Sequence, residues 1–212
     1  MKLTTARLTG LFYLGLAVTG VFAFLFARDQ LLVVGDAAQT TANLVKDETL
    51  ARFGIAAELL IVGFQALAAV WFYKLFRKKD NFTAGLIAVF GMVNAIVIMV
   101  ASAFWLMALN TATASGSSDT VMTLFEVHET LWQVGTLFFG LWLLPMAYMA
   151  RAYGMPRVMV WFLVAGGVGY VLSTFTGVLL PEQADLTEAL PMPATIGEFW
   201  MIGYLLFKNV KQ

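Results

Sequence analysis

The residues able to do chemistry here are few, and they sit where the chain is most apolar. Glu58 lies within RFGIAAELL (52–60), the lone histidine His128 lies beside Glu129 at the start of HETLWQVG, and Glu198 lies within ATIGEFW. An ionisable group inside an apolar run is costly unless it faces the protein interior, so each of these is a functional-site hypothesis. Two carboxylates and one imidazole could bind a divalent metal, relay protons or hold a cationic ligand. Uncharged polar residues extend the set: Gln65, Asn94, Ser102, Ser173 and Thr174. Gln65 follows Glu58 by two helical turns and so shares its helix face. Around the histidine, one face would carry His128, Trp132 and Gly135, and another Glu126, Glu129 and Gln133. Only one of those two faces can point squarely inward.

Composition closes off other chemistry. The chain has no cysteine and a single histidine, which excludes disulfides, thiolate metal sites, thiol nucleophiles and multi-histidine zinc sites built by this chain alone. Every lysine, at positions 2, 46, 74, 78, 79, 208 and 211, falls in a loop or at a helix end, so none is placed for a mid-membrane Schiff base. No GxSxG, HExxH or Walker motif occurs. Thirteen basic residues balance thirteen acidic ones, and nothing attracts nucleic acid. No metal and no cofactor is expected.

The elements that must position these groups are membrane helices. Of 212 residues, 60% are hydrophobic and 12% charged, where a soluble domain carries roughly a quarter charged. Six continuous apolar stretches approach the length needed to span a bilayer, about 20 residues. They are Leu8–Ala27, Arg52–Phe76, Phe82–Leu109, Leu124–Ala150, Val158–Leu180 and the shorter Pro193–Phe207. Helix is the form that satisfies its own backbone in lipid, so an all-α, six-helix polytopic bundle is predicted as one domain over 1–212.

In that arrangement Lys2, Arg7, Lys74, Arg77, Lys78, Lys79, Arg151, Arg157, Lys208 and Lys211 share one side, against Arg28, Lys46 and Arg52 on the other. The positive-inside rule then puts both termini in the cytoplasm of a bacterial inner membrane. The first apolar run is longer than a signal-peptide core, and an uncleaved helix is expected. Asp36 followed by Gln39 reads as an N-cap and capping box, predicting a short amphipathic helix over about Ala37–Val45 in the first external loop. TATASGSSD, before the fourth span, reads as a flexible polar loop. Glu58, His128 with Glu129, and Glu198 would then lie roughly 6–9 Å below the outer boundary. Ser102, Ser173 and Thr174 would lie at similar depth.

The order and spacing of several segments resemble the bacterial membrane family catalogued as domain of unknown function 4386. They are VGDAAQTTAN (34–43), RFGIAAELL with Glu58, HETLWQVGTLFFGLWLL (128–144), GMPR (154–157), GGVGYVLS (166–173) and the Gly197–Glu198 pair. The resemblance implies a six-helix integral membrane protein and carries no established activity. Two positions depart from the family pattern. Trp142 stands where a second histidine often follows FFGL, and Ser173 stands near a frequent acidic position, which argues against a metal site.

Three functions compete. One is a small-solute or proton-coupled transporter or sensor with an outward-facing pocket centred on Glu58, His128 and Glu198. A second is a non-catalytic membrane subunit or assembly factor, and a third an intramembrane lipid-modifying enzyme using a glutamate as general acid/base. The expected partners are the bilayer, a small-molecule ligand and, to build a pathway from so small a chain, a second copy in a homodimer.

Overall fold

The structure is a computed structural model that describes residues 4–208 and Val210; Lys2 and Lys211, two of the basic residues counted above, lie outside the described residues. Every regular element among the described residues is helical. Helix α1 (Thr5–Val21) runs on as a π-helical segment (Phe22–Arg28) and one further turn, α2 (Asp29–Leu31). Then come α3 (Ala37–Lys46), α4 (Glu48–Phe76), α5 (Asn81–Thr113), α6 (Ser118–Ala152), α7 (Arg157–Leu179), α8 (Ala184–Ala189) and α9 (Met192–Phe207). Among the described residues, five stretches are long and apolar enough to cross a membrane: Thr5–Leu31, Glu48–Phe76, Asn81–Thr113, Ser118–Ala152 and Arg157–Leu179. Helix α9 has 16 residues, about 24 Å of rise, and is the short one.

The helices overrun their apolar cores. The segment read as a flexible loop before the fourth span is mostly helix, leaving only Ala114–Ser117 between α5 and α6. Thr111 and Thr113 return their hydroxyls to the carbonyls of Met107 and Leu109 (2.8 and 3.0 Å), so polar side chains continue the helix instead of competing with it. Ser115, with φ 58°, then ends α5, and the Gly116 amide reaches back to the Thr111 carbonyl.

The chain packs as two compact units. One comprises Gly15–Gly63 and Ile96–Trp132; the other takes the chain up to Leu14, Phe64–Ala95 and everything from Gln133 onward. In the first, Ala27, Leu31, Leu44, Ala51, Ile55, Trp105, Leu109 and Phe125 form a buried apolar core. Helix α3 is pinned to it: Thr40 is fully buried and its hydroxyl meets the Val33 amide at 3.0 Å, while Asn43 donates to the Leu31 carbonyl. Gly35, at φ +78°, makes the turn into α3 that a side chain would strain. Asp36 caps α3 by accepting from the Gln39 amide, but the reciprocal half of the capping box is absent. The Asp36 amide is already taken by the Val33 carbonyl, and the Gln39 side chain turns to Asn43 instead.

In the second unit α7 and α9 approach closely. A Cβ on Gly166 would collide with Ala194, and one on Gly169 with the Leu190 carbonyl. Tyr13, Phe72 and Trp142 meet edge to face at 5.5–5.6 Å between ring centroids.

Between α4 and α5, Asp80 accepts from the Thr83 amide (3.0 Å) and hydroxyl (2.7 Å). These bonds, the backbone one foremost, hold its pKa below the ordinary 3.8. A depressed carboxylate stabilises the fold above its unfolded pKa, and that contribution is lost as pH falls through the folded value. Asp80→Ala should therefore lower the melting midpoint of the detergent-solubilised protein at pH 7. The difference from wild type should vanish once acid protonates the native Asp80, which melting curves taken down the pH scale would record.

Candidate functional site

Within the unit formed by Gly15–Gly63 and Ile96–Trp132, α4 delivers Glu58 to the interior. One turn earlier, Gly54 lies against Trp105 and Ala27, where a Cβ would collide with both, so α4 can approach its neighbours closely. Glu58 is fully buried and collects three partners. Its Oε1 faces His128 Nε2 at 2.8 Å and accepts from Trp132 Nε1 at 3.0 Å. Its Oε2 is 2.9 Å from the Ser102 hydroxyl, which also lies 2.9 Å from the Ile98 carbonyl. His128 and Trp132 are one turn apart on α6, so one helix face supplies two of the three partners.

The other ring nitrogen of His128 faces a second carboxylate. Nδ1 lies 3.1 Å from Glu129 Oε1, and that same oxygen accepts from Arg28 Nη1 at 3.0 Å. The wide turns of the π-helical segment end in Arg28, whose guanidinium stacks over Phe24 at 4.4 Å, and Phe24 meets Trp132 edge-on at 4.4 Å. Trp105 and Phe125 flank the imidazole at 5.4 and 5.8 Å. Arg28, Glu129, His128 and Glu58 thus form one chain, running from a partly exposed end (Arg28 25%, Glu129 35%) to a buried one (His128 0%, Glu58 1%).

Chemistry follows from counting protons. Each of the two imidazole–carboxylate contacts needs one proton between nitrogen and oxygen. With the ring doubly protonated and both carboxylates ionised, charges alternate along the chain and cancel. Ser102 makes a second state equally well bonded. When Glu58 is ionised the hydroxyl donates to it; when Oε2 carries a proton, the hydroxyl can turn to the Ile98 carbonyl and accept from Oε2–H. Both forms of Glu58 therefore keep their hydrogen bonds without any side chain moving. Both ring nitrogens of His128 are engaged by carboxylates, and no cluster suited to a metal ion occurs among the described residues.

The remaining candidates have other surroundings. In the second unit Glu198 accepts a short hydrogen bond from the Tyr13 hydroxyl. Gln65 and Asn94 are buried, with both polar atoms of each side chain unpaired among the described residues. Ser173 is buried on α7 and its carbonyl accepts from Thr176, while Thr174 shares a 2.7 Å hydrogen bond with Thr136. Of the two possible inward faces of α6, the one with His128 and Gly135 is buried; Glu126 and Gln133 are exposed, and Glu129 reaches sideways from between them. Sequence reasoning missed Arg28 and Tyr13. Arg28 counts in the sequence only as one of three basic residues on the outer side, and nothing in the sequence distinguishes Tyr13 from the other aromatic residues. The spacing of Trp132 from His128 was the available signal for the indole.

Apolar spanning helices enclosing a hydrogen-bonded chain of charges define a helical membrane protein with a buried polar site. A family profile described as domain of unknown function, DUF4386, matches residues 8–209, and the chain belongs to that family. No curated protein and no solved structure matches it.

The site makes graded demands on stability. Glu58→Ala would leave the imidazole, the indole N–H and the hydroxyl facing an empty interior, a loss of about 3–5 kcal/mol. Glu58→Gln retains an acceptor and should lose less, about 1–3 kcal/mol. Ser102→Ala should lose the least, near 1 kcal/mol. Unfolding by titration with a denaturing detergent would measure this order, and an Ala variant as stable as wild type would contradict it.

Proposed function

We propose that this protein is a proton-coupled transporter or sensor of the bacterial cytoplasmic membrane, with Glu129, His128 and Glu58 as its proton relay. The observation that carries this reading is the position of His128, bridging a partly exposed carboxylate to a fully buried one. A proton arriving at Nδ1 from the Glu129 side allows Nε2 to release its own to Glu58, and the imidazole is left neutral as the other tautomer. The proton so delivered sits on Oε1 and is donated back to Nε2, while the Ser102 hydroxyl goes on donating to Oε2, so Glu58 keeps its hydrogen bonds on protonation. Arg28 holds Glu129 in place at the partly exposed end. In this reading α9 is the sixth span, both termini are cytoplasmic, and the partly exposed end of the relay faces outward. The coupled ligand is a small solute.

The competing reading, a non-catalytic subunit, draws on the completeness of the same hydrogen bonding, which would serve equally to hold helices together. One labelled residue separates the two. Because His128 is the only histidine, nitrogen-labelled histidine yields a single imidazole spectrum. A relay predicts that this spectrum changes with pH within about pH 5–9 and that Glu58→Gln and Glu129→Gln each displace the change. It also predicts that vesicles containing the protein take up protons down a gradient, and that His128→Gln slows this at least tenfold while the variant still accumulates in the membrane. A ring locked in one protonation state across that range, with proton-tight vesicles, would leave the structural reading in its place.

A further inference from the structure

The α6–α7 hairpin carries a second feature, independent of the relay. Its turn is tight, with α6 ending at Ala152, Gly154 at φ +68° reversing the chain, and α7 beginning at Arg157. Arg151 and Arg157 therefore emerge on either side of the turn, and both line a cleft of about 480 Å³ between the two helices. Both arginines are exposed, and among the described residues no carboxylate forms an ion pair with either guanidinium.

The cleft is graded along its depth. One helical turn in from the arginines stand Tyr148 and Trp161, 57% and 67% exposed, both lining the same cleft. Beyond them the lining is apolar, with Leu144 on α6 and Val164 on α7. Charge, then amphipathic aromatic, then hydrocarbon is also the order of phosphate, glycerol and acyl chain in a phospholipid leaflet. Guanidinium groups match phosphate oxygens with paired N–H donors, and a basic pocket between spanning helices suits an anionic headgroup.

We propose that this cleft binds one anionic phospholipid. Arg151 and Arg157 hold its phosphate, Tyr148 and Trp161 flank its glycerol region, and an acyl chain lies along Leu144 and Val164. The apolar floor is what commits the site to a lipid rather than to free phosphate, which would leave that floor unfilled. Charge complementarity commits it to an anionic lipid over a zwitterionic one.

The test is native mass spectrometry of the full-length chain in mild detergent with equal amounts of phosphatidylglycerol and phosphatidylcholine. One phosphatidylglycerol should be retained in preference to phosphatidylcholine. The Arg151→Gln/Arg157→Gln double variant should weaken retention about thirtyfold. Val164→Trp, which fills the apolar end and leaves both arginines in place, should also expel the lipid. Arg77→Gln/Lys78→Gln, the same loss of charge at the other basic turn, should leave retention unchanged. Equal retention of the two lipids, or an unaltered double variant, would overturn the proposal. Complete displacement by inorganic phosphate together with an unaffected Val164→Trp would overturn it as well, reassigning the cleft to the free anion.

Discussion

An ionised carboxylate surrounded by hydrocarbon loses most of its hydration, a penalty of several kcal/mol even after the protein relaxes around it. Glu58 is a fully buried carboxyl group that must find its partners inside the protein, and much of the surrounding unit supplies them. Three donors must arrive at two oxygens, and they come from two other helices: Ser102 on α5, and His128 and Trp132 on α6. For them to reach, α4 must lie close to its neighbours, which Gly54 permits by presenting no side chain to Trp105 and Ala27. The ring that answers Glu58 then needs an acceptor for its own second nitrogen, and Glu129 supplies it. Glu129 in turn is answered by Arg28. One buried carboxyl group thereby dictates partners out to the partly exposed end of the chain of ionisable groups.

The other unit treats its half-buried acid differently. Glu198 is met by the phenol of Tyr13, whose ring is enclosed by Phe72 and Trp142. A phenol donates a hydrogen bond without bringing an opposite charge, whereas an imidazole can do both. The two acids, similar as residues in apolar runs, therefore have different chemical capacities. Glu58 can exchange a proton with a base in direct contact, and Glu198 has a neutral donor of very weak acidity. That contrast is why the functional reading rests on the histidine-bearing unit.

The outer surface follows the opposite rule from a soluble protein. Leu25, Phe26, Leu59, Leu60 and Phe175 are more than half exposed, while Glu58, Gln65, Asn94, Ser102 and His128 are buried. Lipid tails make apolar exposure free of cost, so beside large buried side chains such as Trp105 and Phe72 the interior also gathers small residues that permit close helix contact and polar groups that lipid would not satisfy. The α7–α9 contact at Gly166 and the Glu58 site are two expressions of that rule.

Much of this was legible from residue order. Apolar runs of spanning length required helices, because a backbone in hydrocarbon can satisfy itself only that way, and Asp36 announced the start of α3 by its side-chain chemistry. Glu58, His128, Glu129 and Ser102 could be singled out because a polar side chain in such a run is expensive wherever it falls. Helix ends were less legible: α5 and α6 continue through threonines and serines that resemble a loop, since their hydroxyls can return to the helix backbone. What the tertiary structure decided was pairing. Periodicity places His128 and Trp132 on one helix face, but it leaves open the angle at which that face meets another helix. In lipid no hydrophobic force selects the angle, so it is set by side-chain packing and by hydrogen-bond satisfaction between residues far apart in sequence. Those local matches gave Glu58 to His128, Glu129 to Arg28 and Glu198 to Tyr13.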